Sequence, residues 1–399
     1  MNQTPKPSTA SLAVLLGYPF RPFFLLTALY ALVLIIAWVL FLFAGLPLPL
    51  DSNPLQWHAH EMLFGVIPAA IAGFVLTAMC NWTGAQPLRG GPLLLLLASW
   101  LAGRVVMWGA GFLPGWLVAA VDLAFLSVVA GYVAHVLVRF GNRRNHVLVW
   151  LLVLLASANL LMHLGFLDLW PAASRLGEVL ALDVIALFLV VIGGRITPAF
   201  TANWLRMQGR ASDRVVHSES LDRVVFWVTM GMVPADFAIG TPELGAAVAL
   251  AAAVVNGWRI YWWRGWQAAS EPLLWILHVG MAWIVLALWL KGLTPWFELP
   301  PSVWMHTMGV GAIGTMILGV MTRVGLGHTG RILQLPRFAV WIYVAILMAA
   351  PLRLMAVLMP ALATFGIVTS ALAWTVAFGL FLVVYWPILS QPRADGRPG

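Results

Sequence analysis

The chain has 399 residues, 62% of them hydrophobic and only 9% charged, with a formal net charge of +8. Soluble domains carry roughly 25% charged residues, so this composition excludes one and indicates a polytopic membrane protein. The single cysteine, Cys80, excludes an internal disulfide framework and a thiolate-held iron–sulfur cluster, which needs about four thiolates.

Apolar runs bounded by Pro, Gly and charge clusters predict about twelve helices near the roughly 20 residues that crossing a bilayer requires. In chain order they are 22–46, 57–80, 91–110, 114–139, 146–167, 175–198, 221–240, 243–263, 272–292, 301–323, 337–358 and 362–388. The expected fold is all-α: one transmembrane domain over 22–390, between an N-terminal segment 1–21 and a tail 391–399. The first run has no charged n-region and no small-residue cleavage site, so it reads as retained. No internal repeat is evident in the linear sequence. The basic residues are scattered between apolar runs rather than grouped with aromatics, which excludes nucleic acid as a partner and makes them topology signals. Lys6, Arg21, Arg89, Arg139, Arg143, Arg144, Arg206, Arg210, Arg214, Arg393 and Arg397 are among seventeen that collect on one side, against little beyond Arg175, Lys291 and Arg353 on the other. The positive-inside rule then places both termini in the cytoplasm, in agreement with an even number of helices.

Histidines inside or at the ends of apolar runs are the main candidate ligands, because an ionisable residue at bilayer depth is costly. The densest cluster is Trp57-His58-Ala59-His60-Glu61-Met62. Residues two apart on a helix point about 200° from each other, so His58 and His60 serve either two neighbouring centres or one ion at a frayed helix start. Glu61 is a candidate proton relay or a group that orients an imidazole; interfacial, solvated histidines are the plainer account. Arg104, Asp122, Glu178, Asp183 and Arg195 stand inside or at the edges of spans, where burial demands pairing; Arg104 is also a candidate partner for a haem propionate. Asn159 and His163 lie four apart on one helix face, as a ligand and its orienting amide or as a polar pair joining helices.

His278 sits about 9–10 Å deep among apolar residues, as a haem ligand or a hydrogen-bonded core histidine. His306 is followed by Gly309, Gly311, Gly314 and Gly319, a pattern that either packs helices closely or clears space for a haem face. In the predicted orientation His58, His60, His163 and His306 all fall within roughly 10 Å of the outer surface. They are therefore the leading metal ligands. The basic segment 199–222 and the turn His328–Arg331 are either contact points for a partner or electron donor, or solvated loops.

Five separated blocks together resemble the NnrS family: Gly17-Tyr18-Pro19-Phe20-Arg21-Pro22-Phe23-Phe24, Trp57–Gly65, Asn81-Trp82-Thr83-Gly84, Gly194-Arg195-Ile196-Thr197-Pro198-Ala199-Phe200-Thr201, and Leu326-Gly327-His328-Thr329-Gly330-Arg331. The resemblance runs over roughly residues 12 to 390. It implies a polytopic protein of the bacterial cytoplasmic membrane that holds b-type haem and copper and acts in nitric oxide metabolism and nitrosative-stress tolerance. It does not say which histidine holds which metal. An oxidoreductase acting on nitric oxide, a haem-based sensor or buffer without turnover, a quinol-linked electron-transfer protein and a transporter of metal or small solute all remain compatible with the residues.

Overall fold

The computed structural model describes residues 12–50, 53–213, 215–238 and 241–397. Lys6 and Arg214 lie outside them. Every regular element among the described residues is helical, as expected where no water is present to satisfy exposed backbone groups. The helices are α1 Phe20–Ala44, α2 Pro54–Thr83, α3 Gly91–Trp108, α4 Gly115–Arg139, α5 His146–Phe166, α6 Ala173–Met207, α7 Glu219–Met230, α8 Met232–Asp236, α9 Pro242–Trp262, α10 Pro272–Leu293, α11 Ser302–His328, α12 Val340–Leu358 and α13 Ala363–Ser390. Among the described residues, eleven helices are long and apolar enough to cross a membrane.

The difference from the expected twelve lies at 221–240, which forms α7 and α8 instead of one helix. Pro234 has no N–H to give to the carbonyl four residues earlier, and the helix breaks at Gly231. The broken pair nevertheless runs antiparallel along α9. Arg259 meets Asp222 at 3.1 Å, Asn256 Nδ2 donates to Thr229 Oγ1 at 3.1 Å, and Asp236 lies against Gly245.

Contacts group the chain into two compact units. The first comprises Met1–Glu178, Met321–Ala339 and Phe378–Gly399; the second comprises Val179–Val320 and Val340–Ala377. In the first, the last turn of α13 is closed by arginines. Arg21 donates to the carbonyls of Leu389 and Gln391 at 2.6 and 2.8 Å, and Arg331 donates to that of Ile388 at 3.3 Å. These bonds satisfy carbonyls that a helix terminus leaves without partners. Beyond the helix, Ala394 N–H donates to Thr329 and Arg393 to His328, so the tail clasps the His328–Arg331 turn. The Arg393 guanidinium, hydrogen-bonded to Asp395, holds that carboxyl well below the usual carboxylate range.

The structure exposes a repeat that the linear sequence conceals. α2 and α11 share one construction: an α-helical start ending at a histidine, a π-helical stretch, then a return to α-helix. The stretches are Pro54–His60, Glu61–Val66 and Ile67–Thr83 in α2, and Ser302–His306, Thr307–Gly314 and Thr315–His328 in α11. Aligned at His60 and His306 without a gap, the two share His60/His306, Met62/Met308, Gly65/Gly311, Ile67/Ile313, Ile71/Ile317, Gly73/Gly319, Thr83/Thr329 and Gly84/Gly330. Thr83 and Thr329 each donate to the carbonyl four residues back, and Gly84 and Gly330 both take left-handed φ, 73° and 68°. These are also the two most buried of the eleven spans, at 83% and 78%. π-helical turns inside α-helices concentrate at functional sites, so the register of the two histidines directs attention to both.

Close packing in the first unit rests partly on missing side chains. A Cβ on Gly177 would stand 2.5 Å from the Ala158 carbonyl oxygen, a backbone atom that has no rotamer to escape into, whereas one on Gly131 would meet nothing within 4 Å. Gly177→Ala should therefore destabilise the protein by about 1–3 kcal/mol. Gly131→Ala should be neutral or stabilising by up to about 1 kcal/mol. Unfolding of the two purified variants in detergent, compared with the wild type, checks both signs.

Candidate metal centre

Asn53 caps the start of α2 by accepting from Leu55 N–H, and Pro54 occupies the first turn, where its missing donor costs nothing. Seven residues into the helix His60 is fully buried, and the π-helical turn opens directly after it. Adjacent residues on an α-helix diverge by about 100°. Across this junction, however, His60 and Glu61 converge, with Nδ1 3.0 Å from Glu61 Oε1.

Each of the first five helices contributes to the cluster around this pair. Tyr30 of α1 donates to Glu61 Oε2 and accepts from Trp108 Nε1 at 2.8 Å. Arg104 of α3 bridges two carboxylates, donating to Glu61 Oε1 at 2.5 Å and to Asp122 Oδ1. Asp122 of α4 also accepts, at Oδ2, from Asn159 Nδ2 at 2.8 Å and from His163 Nε2 at 2.9 Å, both on α5. His60 Nε2 completes the ring, 2.8 Å from Asn159 Oδ1 and 3.2 Å from Asp122 Oδ2.

Hydrogen-bond partners determine the protonation. Both His60 nitrogens face only acceptors, since the Asn159 amide is oriented by its own donation to Asp122, so His60 donates from both and is an imidazolium. The charges then sum to zero: His60 and Arg104 positive, Glu61 and Asp122 negative. His163 donates through Nε2, so its Nδ1 carries the lone pair.

The same atoms fit a metal ion. His60, Asp122 and His163 are all buried and each offers one donor atom, all within 4.8 Å of one another. The 3.2 and 2.9 Å separations between Asp122 Oδ2 and the two Nε2 atoms are those of neighbouring donors around an ion at about 2.0–2.2 Å. His60 also hands its far nitrogen to a carboxylate, the arrangement that typically orients a metal-bound imidazole. Beside His163 lies a cavity of 30 Å³, walled by Met107, Ala110, Gly115, Val118, Phe166 and Leu167. It has room for a water or a diatomic molecule and is far too small for a porphyrin.

The other expected ligands stand elsewhere. His58 points away from His60 and stacks on Trp38 with ring centroids 4.3 Å apart. In the second unit, Thr201 gives its hydroxyl proton to the Thr197 carbonyl and so accepts from His278 Nε2 at 2.9 Å. Gly265 lies against the other side of that ring, the arrangement of a hydrogen-bonded core histidine. His306 donates from Nδ1 to the Ser302 carbonyl at 2.7 Å, which leaves Nε2 as its lone-pair nitrogen. Of the glycines that follow, Gly311 packs on Trp283, Gly314 on Trp374 and Gly319 on Ile276, and only Gly309 borders open space. Arg104, a candidate propionate partner, is engaged by two carboxylates. Asp122 and Asn159 join the site although neither stood among the sequence candidates for ligation; the signals were a lone carboxylate in mid-span and an amide one turn before a histidine.

The fold and this cluster define a multi-pass helical membrane protein with a buried histidine–carboxylate group able to hold a metal. The family described as NnrS protein matches residues 14–393, and the chain belongs to that family. A search of curated proteins finds no significant match.

Because the buried cluster is neutral only with all four charges present, removing one leaves another unbalanced. Arg104→Met should lower stability by about 3–5 kcal/mol. Adding Glu61→Gln restores neutrality and should recover a good part of the loss. Unfolding of the single and double variants in detergent checks this; a double variant no more stable than the single would show that charge balance is not what holds the cluster.

Proposed function

We propose that this chain is a haem- and copper-containing protein of the bacterial cytoplasmic membrane that binds or converts nitric oxide, with copper at His60, Asp122 and His163 and haem at His306. The observation that carries the reading is the three-donor group, backed by Glu61 and bordered at His163 by an apolar cavity of diatomic size. Nitric oxide is a small, weakly polar gas that partitions into lipid, so it needs no polar channel to reach a cavity lined by Met107, Val118, Phe166 and Leu167.

Charge favours a monovalent ion at the first centre. For His60 Nε2 to bind a metal, the imidazolium must give up one proton, while His163 only exchanges tautomers. A singly charged copper then leaves the cluster neutral, and a divalent ion leaves it at +1. Metal binding should accordingly release one proton and weaken as pH falls.

His306 supports the second assignment in three ways: it occupies the register of His60 in the repeat, it carries a lone pair on Nε2, and its nearest acidic neighbour on the helix is replaced by Thr307. A neutral imidazole is the form that would bind a haem iron. Arg353, whose charge acts on His306, would be the arginine available to a propionate. When bound, these groups supply gas binding and electron transfer. The chain would supply proton handling through Glu61, whose hydrogen bonds to His60 Nδ1, Arg104 and Tyr30 use none of the three donor atoms. A quinol or another donor would supply electrons. With the α7–α8 pair counted as a twelfth crossing, both termini lie on one side, which the lysine and arginine distribution makes the cytoplasm.

Metal analysis and reduced-minus-oxidised spectra, with and without nitric oxide, test the assignment on detergent-purified protein. His60→Ala and His163→Ala should lose copper and keep haem, and His306→Ala should do the reverse. Full haem retention in His306→Ala removes it from the ligands. Val118→Phe, which fills the cavity, should leave both metals in place and weaken the response to nitric oxide on the order of tenfold or more.

A further inference from the structure

A second group of buried charges, wholly within the second unit, has no part in that reading. The Lys291 ammonium near the end of α10 stands 2.5 Å from Asp183 of α6 and 2.5 Å from Asp236 at the end of α8. The side chains are 8%, 3% and 14% exposed. Trp304 of α11 covers the ammonium, its ring centroid 4.8 Å from Nζ, and α9 brings Gly245 against Asp236.

The charges here do not cancel. One ammonium faces two carboxylates, an excess of one negative charge about ten residues, or roughly 15 Å, into α6. The His60 cluster, by contrast, sums to zero with two positive and two negative groups. Moreover, Asp183 Oδ2 is buried with no hydrogen-bond partner, although Asp236 lies within hydrogen-bonding reach of the Asp183 carboxyl. Two carboxylates cannot bond to each other, but a carboxylic acid and a carboxylate can. A proton between them would cancel the excess charge and satisfy the orphan oxygen together. A metal cation is a poorer occupant, because the ammonium already holds the position between the two acids.

We propose that Asp183 and Asp236 form a proton-binding site and share one proton beneath the Lys291 ammonium. The site is separate from the His60 centre and stands whatever metal that centre holds. It gives the second unit a proton store at membrane depth, of use to any proton-consuming or proton-moving chemistry in this protein.

Infrared spectroscopy of the purified full chain, with and without carboxyl-labelled aspartate, tests the proposal. At neutral pH the wild type should show a protonated-carboxyl C=O band that shifts with the label and in heavy water. Asp183→Asn and Asp236→Asn each leave one carboxylate with one ammonium, a neutral pair, so each folded variant should lose that band completely. The proposal is overturned if the wild type shows no aspartic-acid band, if a folded variant of either kind retains it, or if the band responds to sodium concentration rather than pH. Should one variant fail to fold, the other decides, and absence of the band from wild type alone is sufficient to reject the site.

Discussion

Charge neutrality at bilayer depth is the constraint on which the first unit depends. A guanidinium, an imidazole and two carboxylates are buried together between α1 and α5, and none is tolerable there alone. Each therefore fixes the position of the next: Arg104 bridges Glu61 and Asp122, Asp122 collects His60, Asn159 and His163, and Tyr30 closes the far side of Glu61. The registers of five helices are set by a few hydrogen bonds. Apolar packing, which in lipid has no hydrophobic driving force to align one helix with another, would not set them so closely.

The same network could hold a metal ion at little cost in charge. A singly charged ion exchanges for one proton without disturbing the balance, and the carboxylate behind His60 is already in place. The His306 helix shows what the same backbone design does without the acids. It keeps the histidine, the π-helical turn and the left-handed glycine, while Thr307 stands where Glu61 does. The imidazole then turns inward on its own helix, donating to Ser302, and keeps a free lone pair. One construction thus yields an ionic site in α2 and a neutral one in α11.

In the second unit polar groups work as pins. Asp222 with Arg259 and Asn256 with Thr229 hold the broken α7–α8 segment along α9, and Lys291 holds the far end through Asp236. Pro234 costs the segment its continuity, and side-chain pairs restore its path. Asp183 adds a second carboxylate to Lys291 and so turns a structural pin into a group with a charge to spare.

Composition and apolar run length by themselves determined the membrane class, the all-helical fold and the position of eleven of the expected spans, because every backbone polar group in lipid must be satisfied within its own helix. The sequence also singled out His60, Glu61, Arg104, Asp122, Asn159 and His163, since a polar residue in an apolar run is conspicuous. Tertiary structure alone decided how they combine. Partners such as Arg104 and Asp122, or Lys291 and Asp183, are 18 and 108 residues apart, and periodicity carries no information about which helices meet. The turn of His58 onto Trp38 and the α–π junction after each key histidine leave no mark on apolar periodicity, whereas the break at Gly231 had a local signal in Pro234 that run length alone passed over. The repeat stayed hidden for the same reason: its shared residues are spread thinly over apolar helices, and only the common backbone path brings them into register.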